Sequence, residues 1–270
     1  MARDITIGQY LPGKSIMHRL DPRVKITLTF CFIIMAFISR SPASLAFLIA
    51  VLILMIACSH ISAAQIFSGI RSLIPVILIT AIVNIFYVSG DPVIHFYFIH
   101  ISKQGLFVGL GFLIRLTAMI AGSSLITYTT SLSALTSGLE QMISPLEKIH
   151  VRVGELAMMI TITLRFIPTL AEEISRITDA QKARGAEIGS GGPIKRIKSY
   201  SPVVLPLFMS SFRRAFELTN AIECRCYHGD KGRTRMNTLT LTRADAVALT
   251  LCVAAFCATI ALNFIPIIPE

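Results

Sequence analysis

VGELAMMITITLRFIPTLAEEISRITDAQKARG, residues 153–185, and PLFMSSFRRAFELTNAIECRC, residues 206–226, decide the fold of this chain because they say nearly the same thing twice. Each half is apolar at its start, charged toward its end, and closed by an arginine between two small residues. Leu156, Ile160, Leu164, Ile167, Ile174 and Ile177 recur about every fourth residue, as do Phe208, Phe212, Phe216 and Ile222. Both halves therefore read as long helices with one greasy stripe. Two such helices, each presenting an arginine at its tip (Arg184 and Arg225), make a device for gripping something.

Working outward, the 270-residue chain is 54% hydrophobic and 15% charged, with mean hydropathy +0.70. That composition points to an all-α membrane protein rather than a soluble domain. Apolar runs at 26–38, 43–58, 73–88, 105–130 and 244–265 give about five transmembrane helices. The first is short for a full span and lengthens by including Pro22 to Lys25, whose amine can reach the headgroups. The runs divide the chain into an N-terminal membrane region with four spans (1–131), a cytoplasm-facing region of long helices (132–243) and a C-terminal membrane span (244–270). With the N-terminus cytoplasmic, 22 of the 25 lysines and arginines fall on one side of the bilayer. This is the positive-inside pattern, and it makes the two long helices cytoplasm-facing. It also accounts for the formal charge of +10, so no nucleic-acid partner is expected.

Local signals fill in the rest. Ser144-Pro145-Leu146-Glu147 has the capping-box pattern with proline at the first helical position, which restarts a helix there. Pro168 falls inside a periodic run and predicts a kink, and Pro202 and Pro206 mark the entry to the second long helix. Gly185 suits a helix C-cap. The six cysteines lack C-x-x-C spacing and read as reduced thiols; Cys224, Cys226 and His228 are too close along one stretch to close a tetrahedral metal site. Asp21, Pro22 and Arg23 read as an interfacial helix cap. Arg115, inside a span, is either a functional residue or one that hydrogen-bonds within the bundle, to Thr117 or Ser123 for instance. No P-loop, H-E-x-x-H or G-x-S-x-G motif is present, so this chain is expected to hold no nucleotide, metal or acyl-transfer chemistry of its own.

Three stretches together carry a family resemblance: Gly8-Gln9-Tyr10 with Pro12-Gly13 leading to His18-Arg19-Leu20-Asp21-Pro22-Arg23; Leu164-Arg165-Phe166-Ile167-Pro168 leading to Ala180-Gln181-Lys182-Ala183-Arg184-Gly185; and Glu223-Cys224-Arg225-Cys226-Tyr227 with Gly232-Arg233-Thr234-Arg235. In this order they resemble the T component, the membrane coupling subunit, of an energy-coupling factor (ECF) transporter, nearest in pattern to the shared form. The resemblance implies a non-catalytic subunit in a bacterial or archaeal cell membrane. It would join two ABC-type ATPases, which carry the ATP and Mg, to a small membrane S component that captures a vitamin or metal ion. It also implies that the helices end in Ala-Arg-Gly-like tripeptides whose arginines seat on the ATPases. Ala183-Arg184-Gly185 matches. Cys224-Arg225-Cys226 departs at its first position, where alanine is usual, though cysteine is still small.

The residue chemistry agrees. A guanidinium pairs bidentately with a carboxylate, and small neighbours let a partner's backbone approach. A single terminal arginine would only complement its helix dipole; two at matched positions favour the grip. Pro168 and Pro206 are then hinge candidates that pass ATPase closure toward the membrane, and Met158, Met159, Met209 and the phenylalanines are either core filler or an adaptable S-component face. The competing readings are a membrane enzyme acting on a lipid-linked substrate through Arg115, His60 or the cytoplasmic arginines, and a stand-alone permease.

Overall fold

A computed structural model describes residues 10–71, 73–87, 92–96, 99–149, 152–227, 229 and 239–264. These residues are almost entirely helical, as the composition requires. In chain order they form α1 (Ile16–Arg19), α2 (Pro22–Ile38), α3 (Pro42–Ser59), α4 (Ala63–Arg71), α5 (Ile74–Tyr87), α6 (Lys103–Thr129), α7 (Leu132–Ile143), α8 (Val153–Ala183), α9 (Pro193–Lys198), α10 (Ser201–Glu223) and α11 (Arg243–Asn263). The connection before Lys103 holds a small antiparallel hairpin, β1 (Pro92–Phe96) and β2 (Ile99–Ser102). The contacts divide the chain into two compact units, one of residues 8–139 with 239–270 and one built on 140–238.

The first unit packs α2, α3, α6 and α11 together. Phe32, Met35 and Ala36 of α2 meet Leu48 of α3 and Ala118 of α6, with Ala255 and Phe256 of α11 against them. The helices approach closely because small residues line the seam. A β-carbon at Gly122 would stand 2.5 Å from the Phe32 ring, so only glycine fits there. Proline at the first helical position starts both α2 and α3, each capped by the preceding side chain: Arg23 N donates to Asp21 Oδ1 (2.9 Å) and Ala43 N to Ser41 Oγ (3.3 Å).

Both ends of this bundle are tied by polar residues. At one end, Asn263 Oδ1 accepts from Arg40 N (3.0 Å) and Ser41 N (3.3 Å), while its amide donates to Ile38 O (2.7 Å). Arg115 reaches the same turn. Its Nη2 donates to Ser39 O, and the guanidinium stacks 5.1 Å from the Phe112 centroid. The bundle reading of Arg115 therefore holds, with a helix-end carbonyl as partner in place of Thr117 or Ser123. At the other end, Asp21 N donates to Asp245 Oδ1 (2.8 Å), and Lys25 Nζ to the carbonyls of His18 (3.2 Å) and Thr129 (3.1 Å). His18 Nε2 donates to Leu11 O (2.9 Å), which leaves Nδ1 to accept from Ser15 Oγ (2.6 Å). The His18 to Arg23 signature thus stitches the chain start to α2, α6 and α11.

Among the described residues four candidate spans are found, or five with one bent pair, in keeping with the expected number. The helices long and apolar enough to cross a membrane are Pro42–Ser59, Gly105–Thr129, Val153–Ala183 and Arg243–Asn263. Ala64–Arg71 and Ile74–Asn84 pass only as a pair bent by 66°. With 17 residues, about 25 Å, α2 stands at the lower limit of a membrane span. The apolar first half of α8 gives that helix, too, the length and composition of a span.

One local expectation fails. Ser144–Ile149 forms a 3-10 turn rather than a new α-helix, and the Ser144 hydroxyl donates back to Gln141 O (3.0 Å) instead of capping forward. The next α-helix starts only at Val153, after Arg152, with no side-chain cap.

Candidate functional site

The two arginine tips belong to the second unit, on α8 and α10. These helices pack against each other, and their paired residues run in opposite senses along the chain, so the pair is antiparallel. Glu173 of α8 meets α10 in the middle, where Ser210 Oγ donates to its Oε1 and Arg214 Nη2 stands 2.7 Å from Oε2. The arginine contact is ionic without hydrogen-bond alignment at that oxygen, which otherwise has no partner. Toward the start of α8, Phe166 shares a crevice of about 540 Å³ with Arg213, Glu217 and Leu218. Farther still, a β-carbon at Gly229 would lie 3.8 Å from Glu155 Oε1. The 31 residues of α8 extend about 46 Å. Arg184 sits at its far end, whereas Arg225 is four residues from Gly229 beside its near end. The two tips are therefore more than about 20 Å apart, at opposite ends of the pair.

Each tip is closed by the same backbone device. In the first, Gly185 takes a left-handed φ of 83°; Ala186 N donates to Gln181 O (3.0 Å) and Gly185 N to Lys182 O (2.9 Å). In the second, Cys226 takes a φ of 56°; Tyr227 N donates to Ile222 O (3.3 Å) and Cys226 N to Glu223 O (2.9 Å). Both are Schellman closures with the arginine as the last residue before the left-handed position. The parallel between the halves is thus geometric as well as compositional. Ala183, Arg184, Gly185, Cys224, Arg225 and Cys226 are all exposed, so both tips offer their donors outward.

The second tip departs from the first in a way the sequence pattern understated. Cys224 stands harmlessly in right-handed helix geometry (φ −60°). Cys226, where the first tip has glycine, carries a β-carbon in a conformation that costs an L-residue about 1–2 kcal/mol. Cys226→Gly should relieve that strain, offset by roughly 0.5–1 kcal/mol of added freedom in the unfolded chain. The expected result is slower amide exchange at Tyr227, whose N–H closes the turn. Cys226→Val, with a branched β-carbon, should speed it. Equal exchange in all three proteins would show that the left-handed position carries no strain.

Pro168 and Pro206 lie inside unbroken α8 and α10. Each withdraws one amide, leaving the carbonyls of Leu164 and Pro202 without their helical donor. The acid–hydroxyl–guanidinium contact of Glu173, Ser210 and Arg214 was missed, because neither residue pattern nor spacing relates α8 to α10. Glu173→Gln keeps the acceptor for Ser210 and removes the charge. Because Arg214 is about a third exposed, a double-mutant cycle with Arg214→Ala should give a coupling of only about 1 kcal/mol in thermal unfolding. A coupling near zero would mean that apolar packing alone holds the crossing.

Other sequence candidates are not gathered into a site. Arg115 is committed to Ser39, and His60 is the left-handed C-cap of α3 (φ 54°). His228 and the Gly232 to Arg235 stretch lie outside the described residues, as do Gly8 and Gln9. Among the described residues, no three His, Cys, Asp or Glu side chains are grouped to hold a metal ion.

The sequence profile of the CbiQ family, described as cobalt transport protein, matches residues 13–236. The chain belongs to that family. Its relatives include proteins named energy-coupling factor transporter transmembrane protein EcfT. The one from Acidaminococcus fermentans is 44% identical over 256 residues, covering 95% of this chain and 96% of the relative. The one from Clostridium kluyveri is 43% identical over 262 residues, covering 96% and 97%. The one from Brevibacillus brevis is 40% identical over 248 residues, covering 92% and 94%. The match spans both tips and the His18 to Arg23 stitch, so family membership and the site geometry concern the same residues. Its apolar helices make the chain a membrane protein, and its family makes it a transporter component.

Proposed function

We propose that this chain is the coupling subunit of an ATP-driven importer. It links two ABC-type ATPases, which bind the ATP and Mg, to a small membrane S component that captures a vitamin or metal ion. The observation that carries the reading is the pair of exposed arginines on identically closed turns at opposite ends of antiparallel α8 and α10. Tips more than about 20 Å apart do not share one groove, so each takes its own partner. Arg184 then seats on one ATPase and Arg225 on the other, with Ala183, Gly185, Cys224 and Cys226 keeping the partner's backbone close. The coupling region and the N-terminus face the cytoplasm, where the cations concentrate.

The S component docks on the apolar face of the same helices. Leu156, Met159 and Ile160 on α8 and Phe208, Met209 and Phe212 on α10 are all exposed, and the Phe208 and Phe212 rings pack edge-on at 4.7 Å. Exposed methionine and phenylalanine make a surface that repacks as a partner turns. When the ATPases close, the two tips move relative to each other. The helices pass that motion along, flexing at Pro168 and Pro206, where backbone hydrogen bonds are already missing.

The test is co-expression with candidate ATPases and an S component, followed by purification and reconstitution. The expected result is one complex holding both ATPases and the S component, with substrate uptake that requires ATP. Purification without any ATPase, or uptake by this chain alone, overturns the reading.

A further inference from the structure

We propose that α9, Pro193–Lys198, is a foothold for anionic lipid headgroups, holding the second unit against the bilayer surface. The helix has only six residues, PIKRIK, yet they alternate apolar and cationic character. Ile194 and Ile197, one turn apart on one face, are 73% and 75% exposed. Lys195, Arg196 and Lys198 flank them and are exposed too, and Tyr200 follows at 43%. No carboxylate occurs between Glu187 and Glu217, so the segment has no acidic neighbour along its own stretch of chain.

The segment is a built knob. Gly192 and Pro193 start the helix, Ser199 Oγ accepts from Gly189 N (2.9 Å) across its base, and Ser199 N donates to Lys195 O (2.9 Å). Gly191, at φ 90°, leaves room for the Lys195 stem, which would meet a β-carbon there at 2.9 Å.

Charge and apolarity interleaved this finely select the partner. A lipid surface offers phosphates and, a few ångströms below them, acyl chains, so isoleucines can enter while the cations stay at headgroup level. The neighbouring start of α10 is different, since residues 201–212 carry no charge and suit an apolar protein partner. Tyrosine beside such a segment fits the interfacial preference of aromatic rings with a polar tip.

The chain contains no tryptophan, so Ile197→Trp supplies a single reporter at an already exposed position. The full-length variant would be reconstituted alone into vesicles of phosphatidylcholine, or of equal parts phosphatidylcholine and phosphatidylglycerol, with bromine-labelled acyl chains as quencher. The expected result is blue-shifted emission and strong quenching in the anionic vesicles, reduced by salt. Adding Lys195→Gln, Arg196→Gln and Lys198→Gln should weaken it, by about 5-fold in surface population per cation removed. Water-like emission without quenching in the anionic vesicles overturns the proposal. So does quenching that is equal in both lipids and unchanged in the neutralised variant, which would show apolar insertion without headgroup recognition. No ATPase or S component is present, so failure here leaves the coupling proposal untouched.

Discussion

Purified from cells that co-express the ATPases, the Arg184→Ala, Arg225→Ala double variant should emerge alone where the unaltered chain carries both partners. Removing one member of a buried, hydrogen-bonded charge pair at an interface costs about 2–5 kcal/mol, and about 1.4 kcal/mol is already tenfold in affinity. Each tip therefore controls at least an order of magnitude of binding. The separation of the tips makes the single variants informative. Sites this far apart without shared contacts behave additively, so each single variant should lose chiefly the ATPase seated on its own tip. The turns themselves should survive, because their closures run through backbone groups of Lys182, Gly185 and Ala186 at one end and of Ile222, Glu223, Cys226 and Tyr227 at the other. Amide exchange at Ala186 and Tyr227 would verify that only the side chains were removed. If both ATPases stay bound while uptake stops, the guanidiniums transmit motion rather than affinity. If binding and uptake both persist, the arginines do no more than complement their helix dipoles, which is worth 0.3–1 kcal/mol at an exposed end.

The tips were legible in the sequence because their information is local. An apolar stripe, an arginine and a small residue after it specify a helix, its end and its turn, and α8 ends where Gly185 says it should. What could not be read is whatever depends on a partner distant in the chain. The two four-residue capping patterns show this. Ser144-Pro145-Leu146-Glu147 has the required letters, yet Ser144 spends its hydroxyl on Gln141 O, and the segment tightens into a 3-10 turn at the end of α7. Thr242-Arg243-Ala244-Asp245 has them too and forms the full box at the start of α11. Its added support comes from Asp21, more than 200 residues earlier. The same limit hid the Glu173 contact with Ser210 and Arg214. It also hid the partner of Arg115, a carbonyl 76 positions away in sequence. That the chain holds about five spans was legible, and only the exact bounds of the candidates were not. Apolarity fixes that a helix is greasy, but whether α2 or the first half of α8 has the length to cross depends on where each helix ends, and boundaries are the least local property of all.

The largest stability effect should come from Asp245. Its carboxylate is 1% exposed and accepts from Asp21 N (2.8 Å), Thr242 N (2.7 Å) and Thr242 Oγ1 (2.7 Å), and Lys25, only 5% exposed, lies within electrostatic reach. Asp245→Ala would leave two backbone donors without a partner. It would also remove one of the two carboxylates that balance a buried ammonium. Breaking a buried ionic network from one side costs about 3–5 kcal/mol, because the desolvated partner remains. Thermal unfolding in detergent should fall by roughly 10 °C or more for a chain of this size. Asp245→Asn keeps an acceptor for Asp21 N and loses only the charge, so it should fall between the two. Asp21→Ala removes the α2 cap and the other carboxylate facing Lys25 but leaves its own backbone N–H on Asp245, so it strands no backbone donor at Asp245 and should cost less, about 1–3 kcal/mol. The ordering discriminates: if Asp21→Ala proves as harmful as Asp245→Ala, the α2 cap and the charge facing Lys25, rather than the link to α11, hold this end of the bundle. Pairing Asp245→Ala with Lys25→Met should recover part of the loss, because the second change removes the charge that the first left unbalanced. A strictly additive double variant would mean that Lys25 answers only to the carbonyls of His18 and Thr129.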